Sequence, residues 1–132
     1  MAFILFDEHL GQVHPAGEIR FPRTRASVRE LIRARVELEV ERQAGRIVAP
    51  GPAESALNGD RGAYGFGSVF LRAAGRDGSD IEALVDEAER GFAAGRYFIL
   101  LDDRQADSLE DEIDLDRTGE ATFLLITPLQ GG

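Results

Sequence analysis

The chain has 132 residues, a formal net charge of -9, 43% apolar residues and no Cys. These values describe one ordinary soluble globular domain and exclude the basic face that non-specific nucleic-acid binding requires; the acidic balance suits a partner with a basic surface. The missing Cys removes any disulfide framework, thiolate nucleophile or self-borne thioester, and no apolar run approaches the ~18 residues of a membrane span.

Met1-Ala2-Phe3-Ile4-Leu5-Phe6-Asp7 lacks the positive start and long apolar core of a signal peptide, so a cytoplasmic location is expected. Phe3 to Phe6 reads as a strand. Ile19 and Phe21 alternate with Arg20 before Pro22 and read as a second strand. Gly11, Pro15 and Gly17 lie between them as turn residues, which predicts an antiparallel hairpin.

Thr24 to Ala26 is expected to open a helix with Ser27 as N-cap and Glu30 completing a capping box. Val28, Leu31, Ile32, Val36 and Val40 share one face, Arg33 and Glu37 form an i,i+4 pair, and Gly45 is a fitting stop. Val36 to Glu41 also alternates with period two, but the helical pattern runs through it without a breaker. Residues 46–95 read as an insertion, a Gly- and Pro-rich loop followed by a helix. In the loop only Ser68-Val69-Phe70-Leu71 is strongly apolar. Its Gly62-Ala63-Tyr64-Gly65-Phe66-Gly67 lacks the Gly-Lys-Ser/Thr of a phosphate loop.

Asp80 is expected to cap the second helix, with Ile81, Leu84, Val85, Ala88 and Phe92 on one face and Gly95 at its end. Tyr97 to Leu101 reads as a strand and Asp102-Asp103-Arg104 as a turn. Asp107 to Asp116 is too polar for a core strand and reads as an ordered loop with a short helical turn. Gly119 turns the chain into a last strand, Phe123 to Ile126, which Pro128 ends because it has no N–H for a ladder.

No nucleophile, base and acid can be assembled from this sequence. Without Cys and without a carboxylate at helical spacing, His9 and His14 make a poor metal site and read as surface residues rather than metal ligands. The acidic run lacks a cation-loop pattern. The chain reads as a substrate or carrier, not an enzyme. Gly131 and Gly132 have no Cβ and would let an α-carboxylate enter a narrow channel; the plainer reading is a frayed end. A carboxylate must be activated, for example as an adenylate, before a nucleophile takes it.

The order hairpin, helix, strand, acidic loop, strand, Gly-Gly resembles the β-grasp plan of ubiquitin and its relatives. Tyr97 to Gln105, Ser108 to Ile113 and Glu120 to Ile126 are similar to ubiquitin's strand and turn after the helix, its acidic loop and its last strand. Phe21-Pro22 followed by Ser27 to Ile32 resembles the start of the central helix. Residues 46–95 have no counterpart. The ending Phe123-Leu124-Leu125-Ile126-Thr127-Pro128-Leu129-Gln130-Gly131-Gly132 looks most like bacterial ubiquitin-like modifiers.

That resemblance implies a single α+β, β-grasp domain over 1–132, a mixed sheet on a central helix with the insertion at 46–95. It implies a protein modifier whose Gly132 carboxylate is adenylated by an activating enzyme, passed as a thioester to a conjugating enzyme, joined to target proteins and released by a metallopeptidase. No cofactor is implied beyond the ATP used by the activating enzyme, and neither nucleic acid nor membrane is an expected partner. Thr127, Pro128, Leu129 and Gln130 would be read by the partner enzymes, although ubiquitin carries arginines there. By the ubiquitin-like register Ile99, Leu124 and Ile126 would form an outward partner patch. Two alternatives stay open: a sulfur carrier, in which the adenylate becomes a thiocarboxylate, and a binding module with an inert Gly-Gly.

Overall fold

The first two strands follow from side-chain alternation. In β1 (Ala2–His9) Phe3, Leu5 and Asp7 are buried while Ile4 points to solvent. It pairs antiparallel with β2 (Gln12–Arg20), from Ala2↔Arg20 to His9↔Gln12. The structure, a computed structural model, describes residues 2–43, 81–102 and 104–126. The Gly/Pro-rich part of the insertion, Gly45, Asp80 and the tail at 127–132 lie outside the described residues.

The hairpin turn is tighter than the sequence suggests. Leu10 and Gly11 make it, with φ of 53° and 79°, the positive pair that matches the twist of a two-residue hairpin. Pro15 and Gly17 are not turn residues: both lie within β2. The register shifts there, with Leu5 opposite Gly17 and Phe6 opposite Pro15. Ala16 is thus the extra residue of a β-bulge. An edge strand with a bulge tolerates Pro, and β2 is an edge of the sheet.

A second correction concerns Thr24 to Ala26. Arg25–Ser27 forms a short strand, β3, instead of opening the helix. Its antiparallel partner is β6 (Glu112–Asp114), inside the stretch expected to be a loop. Three residues need only one inward side chain, Ile113, while their polar neighbours face water; polarity alone does not forbid so short a strand. One bond, from Asp111 N–H to the Ser108 carbonyl at 3.2 Å, is the turn that precedes it.

Ser27 then starts α1 (Val28–Gln43). The capping box is formed: Ser27 N–H donates to Glu30 Oε1 at 2.8 Å and Glu30 N–H to Ser27 Oγ at 3.0 Å. Val28 and Arg29 donate their backbone N–H groups to the carbonyls of Asp111 and Leu109. The acidic loop therefore satisfies helix-start donors that have no partner within the helix. Val28, Leu31, Ile32, Val36 and Val40 are all buried, so the period-two pattern after Val36 is helical after all. Arg33 reaches Glu37 at 3.5 Å but holds Glu82 of the second helix more closely, at 2.6 Å.

The second helix, α2 (Ile81–Ala93), buries Leu84, Val85, Ala88 and Gly91. Gly95, at φ 77°, closes it. Gly95 N–H bonds the Phe92 carbonyl and Arg96 N–H the Gly91 carbonyl, the two bonds of a Schellman motif. The chain then enters β4 (Tyr97–Leu101), turns into β5 (Arg104–Gln105), and returns through β6 to β7 (Glu120–Leu125).

The five-stranded sheet has the order β2-β1-β7-β4-β5. β1 and β7 pair in parallel, Ile4↔Glu120 to Glu8↔Leu124, and β4 is antiparallel to β7. Phe3, Leu5, Ile99, Leu101, Phe123 and Leu125 meet Leu31, Ile32, Val36, Leu84 and Ala88 in one core. The fold is α+β: among the described residues, a mixed sheet whose inner face is covered by two helices.

Candidate functional site

β7 is the strand that leads to the Gly-Gly tail, and it occupies the middle of the sheet. Its last described neighbour, Ile126, donates its N–H to the Arg96 carbonyl at 3.2 Å. The tail positions Thr127, Pro128, Leu129, Gln130, Gly131 and Gly132 lie outside the described residues.

The residues of the expected patch differ in exposure. Phe123 and Leu125 are buried as alternation requires, while Leu124 is half-buried and Ile126 is 44% exposed. Ile99 does not join them. It is fully buried and directly opposite Phe123 on the helix-covered face. The residue opposite Leu124 is Phe98, and Leu100 follows two positions on, so these share the outer face with Leu124. The parity of β4 is the opposite of the ubiquitin-like expectation, and a shift of one residue moves every side chain to the other face. Tyr97, not Phe98, is the inward aromatic. It stacks on Phe123 with ring centroids 5.9 Å apart, and its hydroxyl donates to the Ala88 carbonyl at 2.7 Å. Burial pushes the Tyr97 phenol well up, so it stays a donor.

Behind the sheet, on its inner face, lies a charged network that sequence patterning did not bring out. Arg35 is completely buried. Its Nη1 and Nη2 donate to both oxygens of Asp7 at 2.6 and 2.7 Å, a bidentate pair. Its Nε and Nη2 donate to Glu39 Oε2 at 3.0 and 2.7 Å. Glu39 also takes Arg42 Nη1 at 2.8 Å, and Arg42 Nη2 donates to the Ala16 carbonyl at the bulge. The Arg35 guanidinium lies 5.1 Å from the Phe123 ring centroid, within cation–π range. Burial opposes the charge on Arg35, but Asp7 and Glu39 outweigh it and raise its pKa. A faint signal exists in the sequence: Asp7 has the parity of Phe3 and Leu5, and Arg35 and Glu39 stand one turn apart beside Val36 and Val40.

His9 and His14 are half-buried strand residues. Among the described residues no group of three or more His, Asp or Glu is placed to hold a metal ion, and no helix is long and apolar enough to cross a membrane. The chain matches no protein-family model, no curated protein and no solved structure.

Proposed function

We propose that this chain is a ubiquitin-like protein modifier with a β-grasp fold, joined to targets through the Gly132 carboxylate. The observation that carries the reading is the path of the chain through the sheet. An N-terminal hairpin, a helix packed on the sheet, and a last strand parallel to β1 at the centre support the β-grasp reading. In the sequence that central strand precedes Gly131-Gly132. The capping box at Ser27 and the acidic loop that supports α1 add local agreement with the ubiquitin-like segments.

The chemistry needs a free carboxylate on Gly132, whether the chain is made that way or cut there. ATP activation would form a mixed anhydride with AMP and release pyrophosphate. A Cys of the partner enzyme would take the acyl group as a thioester with release of AMP, and an amine of the target would take it as an amide with release of the thiol. A β-branched residue at position 132 would crowd the reacting carbonyl and block the first step. The test is pyrophosphate exchange by the activating enzyme made by the source cells. Exchange that depends on this chain and fails with Gly132→Val supports the reading. Exchange that persists with that variant, or conversion of the adenylate to a thiocarboxylate, refutes it, the latter in favour of a sulfur carrier.

All 15 basic residues are Arg. A modifier without an ε-amine cannot receive an isopeptide bond, so any self-linkage must use an α-amine or a hydroxyl.

A further inference from the structure

A groove of about 460 Å³ lies where the C-terminal end of α2 meets β4 and the loop after β5. Its volume falls in the range of sites that hold ligands or anchor side chains. Phe92, Phe98, Ala106 and Leu109 line it. Ala106 is buried, but Phe92, Phe98 and Leu109 are only half-buried, so the apolar floor stays open. Asp107 and Glu110 stand at the rim, both exposed, and among the described residues no basic side chain lines the groove. The α2 C-terminus, with its partial negative charge, adds the same sign.

The two rim carboxylates are not equivalent. Glu110 Oε2 accepts from Arg29 at 2.7 Å. Among the described residues no basic side chain contacts the Asp107 carboxylate, while its backbone N–H is held by Asp111 Oδ2 at 2.7 Å. Asp111 also accepts from Ser108 N–H at 3.3 Å and Ser108 Oγ at 3.2 Å. The Asp107 N–H, ahead of the Ser108 donors and Arg104, keeps the Asp111 carboxyl below its usual pKa, so the clamp is ionised at neutral pH. The loop that carries Asp107 is therefore pre-organised, which lowers the ordering cost of binding.

We propose that this groove docks a segment of a partner protein that presents an aromatic or long aliphatic side chain flanked by arginine. The apolar side chain lies against Phe92, Phe98 and Leu109, and the guanidinium meets the Asp107 carboxylate. An acidic segment is rejected by like charge at the rim, and a purely apolar one leaves Asp107 unmatched. The net charge of -9 favours the same basic partner at longer range. None of this depends on the tail chemistry.

The test is a titration of the isotope-labelled full chain by NMR, with Ac-Arg-Phe-Arg-NH2 as the probe and Ac-Phe-NH2 and Ac-Glu-Phe-Glu-NH2 as controls. The expected result is saturable shifts at residues 92–95 and 105–110 with the basic peptide. Binding of both controls should be weaker by about fivefold or more. Asp107→Asn should weaken the basic peptide by about threefold, with the rest of the spectrum unchanged. Equal binding of all three peptides, no shifts at the groove, or Asp107→Asn without effect overturns the proposal. So do contacts in the free protein that seat this chain's own Val69-Phe70-Leu71 in the groove.

Discussion

Replacing Asp7 by Asn keeps the shape of the side chain and removes one charge from a cluster that is otherwise balanced, Asp7 and Glu39 against Arg35 and Arg42. Arg35 is fully buried and cannot turn to water for compensation. Breaking a buried pair from one side costs about 3–5 kcal/mol, because the remaining ion is left desolvated. For a domain of this length about 4 °C of Tm follows each kcal/mol, so Asp7→Asn should lower Tm by roughly 12–20 °C. Urea unfolding followed by circular dichroism should show a lower midpoint with the slope unchanged. Arg35→Met should cost a similar amount. Combining Arg35→Met with Asp7→Leu should recover much of it, since a well-packed apolar pair can replace a buried ionic one. A loss below about 1 kcal/mol for Asp7→Asn would refute the reasoning, since a buried Arg35 left with Glu39 alone, a carboxylate that Arg42 shares, cannot be that cheap. Strict additivity of the two changes would refute it as well.

At the bulge, Gly17 has φ +143° and a Cβ there would stand 2.8 Å from Leu38 Cδ2 and 3.2 Å from Arg42 Nη2. Gly17→Ala should therefore cost about 1–3 kcal/mol, read by the same unfolding assay. Ser27→Ala should cost about 1 kcal/mol by opening the capping box. The Ser27 N–H, then Arg23, holds Glu30 below its usual pKa. Its stabilisation is thus complete above the unfolded pKa and fades as pH falls through the lower folded one, an acid limb that Glu30→Gln should remove from a stability–pH profile. Ile99→Ala should unfold the protein partly, by about 2–5 kcal/mol, whereas Ile126→Ser should leave stability within about 0.5 kcal/mol. If the chain modifies itself, the links should lie at an α-amine or be oxyesters that mild hydroxylamine cleaves; an amine-resistant link at an internal residue would contradict that.

Much of the fold was legible because its elements announce themselves locally. The helical face of Val28 to Val40, the Gly95 stop and the apolar runs of β1 and β7 each follow from short-range pattern. Long-range pairing was harder. Arg25–Ser27 and Glu112–Asp114 are strands only because they find each other across the chain, and neither carries an apolar run of its own. The true hairpin turn is hidden because Pro15 and Gly17 look like punctuation, while the bulge that accommodates them depends on β2 being an edge. Ile99 went to the wrong face because a continuous apolar strand has no internal parity; the neighbours Phe123 and Leu124 decide it. The buried network was hidden for a related reason, since Asp7, Arg35 and Glu39 look like solvent residues until the sheet and helix are superposed.

The claim that matters most is that Gly132 is a point of attachment. Express the chain with an N-terminal tag in its source cells, with and without Gly131 and Gly132, and compare tagged species after denaturation and thiol reduction. The account predicts higher-mass adducts with the full chain, their loss on removal of the two glycines, and an unchanged Tm for the shortened protein. Adducts that survive the truncation, or a full chain that forms none while the activating enzyme is present, would contradict it.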